Sequence, residues 1–459
     1  MTETESLTKR VRQLNDGKMQ PGKYILYWAQ MNRRVEANHG LAFAAELANQ
    51  QGLPVLVYEG LTCCYPNAND RFHTFLLEGV EETERRLAKM GIGYVFHLRR
   101  RKSDPNDAFY RLAGEASAVV TDDYPAFVAR EHNSRVPMKL RVPYYTVDSS
   151  CIVPMSHFEK QEYAAYTIRP KIRRVIEEHL RPPTPVRAKK RYEARPSPLH
   201  TRVTPEKIAS LVASCEIDHS VAPSAEFRGG SREATRRLQL FLKNNLRRYA
   251  SKSNQPSENA TSNLSPYLHF GHISSLQIAL AVREYAADHK LLVEEFLEEL
   301  IVRRELAFNF ARFAPKLDSL DSLPNWALAT LRKHARDPRP MIYTREQFER
   351  AETHDELWNA TQREMLRTGK IHGYYRMYWG KKIIEWSATH DEALETMIHI
   401  HDRYALDGRD PNTYTNILWC FGLHDRPWAE RPIFGMVRYM SLEGMRRKTD
   451  VDAYIGVNG

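Results

Sequence analysis

Hydrophobic periodicity changes character once along this chain, and that change limits the fold more than any other feature. In the first third, short runs rich in β-formers recur at residues 23–29 (KYILYWA), 54–58 (PVLVY), 94–98, 118–121 and 144–147. Helical patterns lie between them, over 38–50 and 72–90. Such alternation predicts a parallel sheet with helices against it. No GxGxxG follows the first run, so an ordinary dinucleotide fingerprint is absent. Beyond about residue 230 the strand signals fade, and helical segments predominate at 231–250, 272–288, 291–313, 345–368, 371–387 and 391–403. Between the two regimes, residues 181–205 are rich in proline and basic residues and read as a linker with few buried apolar positions. The expected organisation is therefore a Rossmann-like α/β domain over 20–180, a linker over 181–225 and an all-α domain over 226–459. There is no internal repeat.

A chain of 459 residues can bury cores of that size. Its 42% hydrophobic and 27% charged content is ordinary for a globular protein and excludes wholesale disorder. Lys plus Arg outnumber Asp plus Glu by 67 to 57, a net charge of +10 that suits a polyanionic partner. Five cysteines, with no CxxC pair, argue against a disulfide framework or a structural zinc site and for a reducing compartment. The polar N-terminus is neither a signal nor a transit sequence. No apolar run approaches the roughly 18 residues of a membrane span. A cytoplasmic protein is expected.

Four segments can carry chemistry. Thr261, Ser262, Asn263, Leu264 and Ser265 precede a helical stretch; their hydroxyls and amides serve either as helix caps or as a phosphate site. In 296–310 (FLEELIVRRELAFNF), Glu299 and Arg303 are four apart on one helical face, either a solvated ion pair or a carboxylate at a pocket mouth. In 372–386, Trp379 and Trp386 are two turns apart, with Arg376 close by and Trp358 on a neighbouring helix. The stripe reads as core packing or as a chain of oxidisable indoles. Residues 403–419 hold a charged turn, Asp407 to Asn412, ahead of an apolar run ending at Trp419 and Cys420. The turn is a surface loop or a set of polar groups for a heterocycle. Further on, Arg431 and Arg438 interleave with aromatics, as a nucleic-acid surface would.

Taken together, TSNLSPYLHFG, FLEELIVRRELAFNF, DELWNA, HGYYRMYWGKKIIEW, DRYALDGRDPN and ERPIFGMVRYM resemble, in order and spacing, the class II cyclobutane pyrimidine dimer photolyases. CYPNANDRFHTFLLEGV and VTDDYPAFVAREH are similar to that family's antenna-domain segments. The resemblance spans about residues 22–455. It implies an α/β antenna domain and a helical domain that holds FAD. Fully reduced, photoexcited FAD would pass an electron to a cyclobutane pyrimidine dimer flipped out of UV-damaged DNA, with no metal. An antenna chromophore, a deazaflavin or a folate, is compatible; no obligate protein partner is implied, and a monomer is expected.

Residue by residue, the resemblance puts Tyr249 and Thr261 to Ser265 at the FAD phosphates. It puts Glu299, Tyr374 and Trp419 at the dimer, and Arg431 and Arg438 on the DNA side. Arg376 and Asp407 would form a buried bidentate pair beside the flavin ring, with Asp410 and Asn412 lining it. Trp379, Trp358 and, near that path, Trp386 would relay electrons to the flavin. Two departures stand out. His401 replaces an asparagine that faces flavin N5, which bears on flavin redox tuning. The loop FGLHD is one residue shorter than the usual form, close to the DNA side. The competing reading is a cryptochrome-like photoreceptor, for which a C-terminal tail beyond the last motif would be usual; this chain stops at Gly459.

Overall fold

The computed structural model describes residues 7–182, 185–193 and 197–459. Six strands form one sheet: β1 (Val11–Gln13), β2 (Tyr24–Trp28), β3 (Val55–Thr62), β4 (Gly93–Arg99), β5 (Ala116–Asp122) and β6 (Tyr144–Val147), in the order β1-β6-β5-β2-β3-β4. All neighbours are parallel except β1, which pairs antiparallel with β6. Each of the five expected strands is present. The short edge strand β1 carries no apolar run and was invisible in the sequence. Both β2 and β5 are buried along their whole length, as expected of central parallel strands covered on both faces. Helix α1 (His39–Gln51) starts at Asn38, whose side chain accepts from Leu41 N–H, and stops at Gly52 in the left-handed region. Helix α2 (Asp70–Lys89) is capped in the same way by Asn69.

The second half is helical. After the sheet comes α3 (Ala165–His179), and the second half includes α4 (Ser231–Asn244), α5 (Ser275–His289), α6 (Arg304–Phe313), α7 (Glu356–Thr368), α8 (Gly373–Trp386), α9 (His390–Tyr404) and α10 (Pro411–Cys420). Two expectations need correction. The pattern over 345–368 is not one helix: Arg345–Glu349 ends, Ala351 takes φ 58°, and Asp355 caps α7 by accepting from Trp358 N–H at 2.9 Å. The supposed apolar tail after Asn412 is itself helical, because Asp410 caps α10 and Pro411 fits its first turn.

The halves share one core. Phe72, Phe75 and Leu76 of α2 cluster with Leu264, Tyr267, Phe270 and Phe308 of the helical half. The buried Arg71 guanidinium donates to the carbonyls of Ala222, Met365, Leu366 and Tyr404, tying α2 to α7 and α9. At Gly271, φ is +69° and a Cβ would lie 1.8 Å from the Met31 carbonyl, so only glycine permits this approach between the halves. The reading of 181–205 as a chain with few buried apolar positions fails at its end. Val203 is buried, and Thr201 N–H bonds the Phe96 carbonyl on β4 at 2.7 Å. Next, Ile208–Ala213 buries Leu211 and Val212 in the core that α2 also enters. Residues 183–184 and 194–196 of that stretch lie outside the described residues. Among the described residues, no helix is long and apolar enough to cross a membrane.

Candidate functional site

A cavity of about 630 Å³ opens in the helical half. Of the residues singled out from sequence, the structure brings fourteen to its walls: Tyr249, Thr261, Ser262, Leu264, Ser265, Glu299, Tyr374, Arg376, Trp379, His401, Asp407, Asp410, Asn412 and Trp419. Trp358 and Trp386 lie behind Trp379 in the core. Asn263 is turned aside at φ 55°, its amide donating to Asn259. Arg431 and Arg438 stand outside the cavity, over Tyr439 and Trp428 respectively.

One wall is built around Asp407. A single nitrogen of Arg376, Nη2, donates to both carboxylate oxygens at 3.0 Å, and Ser265 Oγ donates to Oδ2 at 2.7 Å. The pair is thus buried as expected but not a two-nitrogen fork; Arg376 Nε has no hydrogen-bond partner. Burial pushes the Asp407 pKa up, yet the charges of Arg376 and Lys370 and the Ser265 hydroxyl hold it below the usual range. Asp410 completes this region. It accepts from Tyr124 Oη at 2.7 Å, from the Asn412 backbone and side chain, and contacts His269 at 3.3 Å.

His401 is 1% exposed. Its Nδ1 meets the Met397 carbonyl at 3.1 Å, which places the proton there, and Nε2 is left as a buried acceptor without a partner. Burial, aided by the nearby Arg376 charge, pushes its pKa down to about 3, so the ring is neutral. Its ring meets Trp379 edge-on, with centroids 4.9 Å apart.

Glu299 stands accessible at the mouth. The surrounding walls raise its pKa by removing part of its water, opposed by the Arg303 charge. Of the two readings of Glu299, the carboxylate at the pocket mouth holds, and no ion pair with Arg303 forms. Residues Glu298–Arg303 wind as a π-helix, whose wider turn sets Arg303 against Glu298 at 3.7 Å. The Arg303 guanidinium also lies over Trp419, 5.7 Å from its ring centre. Glu298 is held in turn by Arg169 Nε and Nη2 at 3.0 and 2.6 Å.

Behind the cavity, Trp379 and Trp358 stack at 6.0 Å with planes 9° apart, and Trp386 meets Trp358 edge-on at 6.4 Å. Gln362 fixes the Trp379 indole N–H at 3.0 Å, and the Trp358 indole donates to the Trp379 carbonyl.

Several functional-looking residues escaped the sequence reading. Lys370 and His372 line the cavity, and Tyr124 and His269 brace Asp410. Tyr124, His269 and His372 lie inside the quoted motifs, so the motif boundaries were the available signal; only the contact across the two halves gives Tyr124 its role.

These walls suit a long polar ligand. Hydroxyls of Thr261, Ser262 and Ser265 with the Lys370 cation line one part, and an orphaned acceptor and a charged pair line another. Such a lining fits a ligand with phosphate groups at one end and a hydrogen-bonding ring at the other.

Comparison with known proteins agrees. The DNA photolyase family model matches residues 25–190. A deoxyribodipyrimidine photo-lyase of Methanothermobacter thermautotrophicus is 40% identical over 97% of both chains. One of Potorous tridactylus is 38% identical over 93% of this chain and 80% of its own. The crystal structure of an archaeal photolyase from Sulfolobus tokodaii with two FAD molecules superposes with a TM-score of 0.63 at 18% identity, covering 94% of this chain and 89% of that one. On its sequence identity over nearly the whole length, the chain belongs to the DNA photolyase family.

Proposed function

We propose that this protein is a class II photolyase: a light-driven repair enzyme for cyclobutane pyrimidine dimers in DNA, holding FAD in the cavity of its helical half. The observation that carries the reading is the layering of one cavity. Glu299, Tyr374 and Trp419 stand toward its mouth, Arg376–Asp407 and His401 within, and stacked tryptophans behind. Bound and fully reduced, FAD supplies a light-excitable electron donor. The protein's part is positioning and electrostatics. Thr261, Ser262 and Lys370 would hold the phosphates, with the Ser265 hydroxyl committed to Asp407. Arg376–Asp407 fixes the polar wall, and His401 Nε2 would be an acceptor for a ring N–H.

Toward the mouth, Tyr374 and Trp419 offer aromatic surface to a flipped dimer. Glu299, with its raised pKa, donates or accepts a hydrogen bond at a dimer carbonyl and steadies the charge that develops there. Arg438, over exposed Trp428, and Arg431, over Tyr439, meet the phosphate backbone. The N-terminal 20–180 region is read as an antenna domain for a deazaflavin or a folate, and the protein as a cytoplasmic monomer.

The test is direct. FAD-loaded protein is chemically reduced, mixed with UV-irradiated oligothymidylate and illuminated. Recovery of the thymine absorbance is expected. No recovery while the bound flavin stays reduced refutes the reading.

A further inference from the structure

The row of tryptophans does not end at Trp386. Among the described residues, three rings lie against Trp386: Trp358 on the cavity side, and Tyr343 and His354 on the solvent side, at 5.8 and 4.8 Å. Tyr343 is also tied to the same residue through its backbone, its N–H donating to the Trp386 carbonyl at 3.0 Å. We propose that the Tyr343–His354 pair is the outer terminus of the relay, where the tyrosine gives an electron to oxidised Trp386 and its phenolic proton to His354. This rests on the tryptophan-relay reading above.

The hydrogen bonds give the proton a path. The Tyr343 oxygen accepts from the His354 backbone N–H at 3.0 Å, and contacts His354 Nδ1 at 2.7 Å. The backbone N–H occupies one lone pair of the phenol oxygen, and in the Nε2–H tautomer of His354 the phenol O–H donates to Nδ1. The proton therefore has a bond to travel along before any electron moves.

Electrostatics give the step its driving force. Trp379, Trp358 and Trp386 are all buried, and the Lys382 ammonium lies 5.4 Å from the Trp386 ring, paired with Glu385 at 2.6 Å. A positive charge left on Trp386 is poorly solvated, and the neighbouring cation, Lys382, is already paired with Glu385. Tyr343 removes that charge from the interior. Trp386, as its radical cation, gains one electron and returns to the neutral indole. Tyr343 loses one electron and the O–H proton and becomes a neutral radical. His354 Nδ1 gains the proton, and the positive charge ends on an exposed imidazolium in contact with water. The oxidant is the tryptophan radical cation that the relay produces on illumination of protein carrying oxidised flavin. Other nearby phenols are worse placed. Tyr378 is buried and bonded to the Asp355 carboxylate, and Tyr439 bonds Glu385 and Lys382; neither ring lies against Trp386.

The experiment is flash photolysis with electron paramagnetic resonance on flavin-loaded protein in the oxidised state, comparing the parent with Tyr343→Phe and His354→Phe. Both changes keep a ring in place. In the parent, a tryptophan radical should give way to a neutral tyrosyl radical, more slowly in D2O. Tyr343→Phe should lose the tyrosyl signal and prolong the tryptophan radical. His354→Phe should lower the tyrosyl yield. A parent that forms the tryptophan radical but no tyrosyl overturns this proposal alone, as does an unchanged tyrosyl signal in Tyr343→Phe. A parent with no tryptophan radical overturns the relay and the terminus together.

Discussion

The phenol of Tyr124, in the loop after β5, donates to Oδ2 of Asp410, the cap of α10, at 2.7 Å. This single bond joins the sheet half to the cavity wall. Asp410 also holds Asn412, so the start of α10 is set partly from outside the helical half. Burial opposes the Asp410 charge, yet the bond from His269, the Arg304 charge and Asn412 hold its pKa below the usual range. Tyr124→Phe keeps the ring and removes the donor, leaving a buried carboxylate oxygen one partner short. A loss of about 1–3 kcal/mol is expected. Chemical unfolding checks it, and the Asp410→Asn background should shrink the effect.

The Arg376–Asp407 geometry predicts an unusual tolerance. Removing the cation with Arg376→Ala leaves the buried Asp407 charge with only Lys370 and the Ser265 hydroxyl to offset it, at a cost of roughly 3 kcal/mol and loss of bound flavin. Because Nη2 alone reaches both oxygens, one ammonium can take its place. Arg376→Lys should therefore keep most of the stability and flavin content, unlike a site where two nitrogens form a fork. Equal losses in the two variants would contradict this.

What the sequence made legible follows the range of the forces involved. The strands were readable because central parallel strands are apolar throughout, and the fold class came with them. β1 was not, since an edge strand of three residues is specified by its partner β6 rather than by its own composition. Eleven of the fourteen cavity residues lie in the long motifs, and Tyr249, His401 and Trp419 were placed by their spacing from them. The π-turn at Glu298–Arg303 was not legible, because a helical wheel assumes 3.6 residues per turn, and that assumption produced the wrong partner for Arg303. Tyr124 and Lys370 owe their places to tertiary contacts that no local pattern encodes.

Acid should destabilise the protein through its buried neutral histidines. Burial pushes His272, His372 and His401 each down to about 3. In the unfolded chain they bind protons near pH 6.5. The unfolded state thus holds more protons over this window, and stability is lost as pH falls from about 6.5 toward 3. Each contributes on the order of 1–2 kcal/mol of loss by pH 5. His401→Asn, studied without flavin, should flatten the profile between pH 6.5 and 5. An unchanged slope would refute the assignment.

Glu305 acts in the opposite direction. It is fully buried on α6, accepts from the Ile152 and Val153 backbone N–H groups at 2.6 and 3.1 Å, and burial pushes its pKa up to about 8. A carboxyl raised in the fold gives stability that is complete below its ordinary pKa near 4.5 and is lost as pH rises through 8. Glu305→Gln retains an oxygen for both N–H groups and cannot ionise. Its unfolding free energy should decline less than the parent's between pH 5 and 9, measured by denaturant titration across that range.

The stacked pair Trp379 and Trp358 separates two uses of the same protein. Both indoles are clamped, by Gln362 and by the Trp379 carbonyl, so neither ring is free to find another geometry. Trp379 is the one of the two that lines the cavity. If electrons enter through it, Trp379→Phe should slow light-driven reduction of bound flavin by an order of magnitude or more. It should leave repair by chemically reduced enzyme near the parent rate, since the mouth of the cavity, at Glu299 and Trp419, is untouched. The two readouts fail differently. Unchanged photoreduction removes Trp379 from the relay. A matching loss of repair in the chemically reduced variant would instead mean that the indole shapes the cavity itself, through its edge contact with His401.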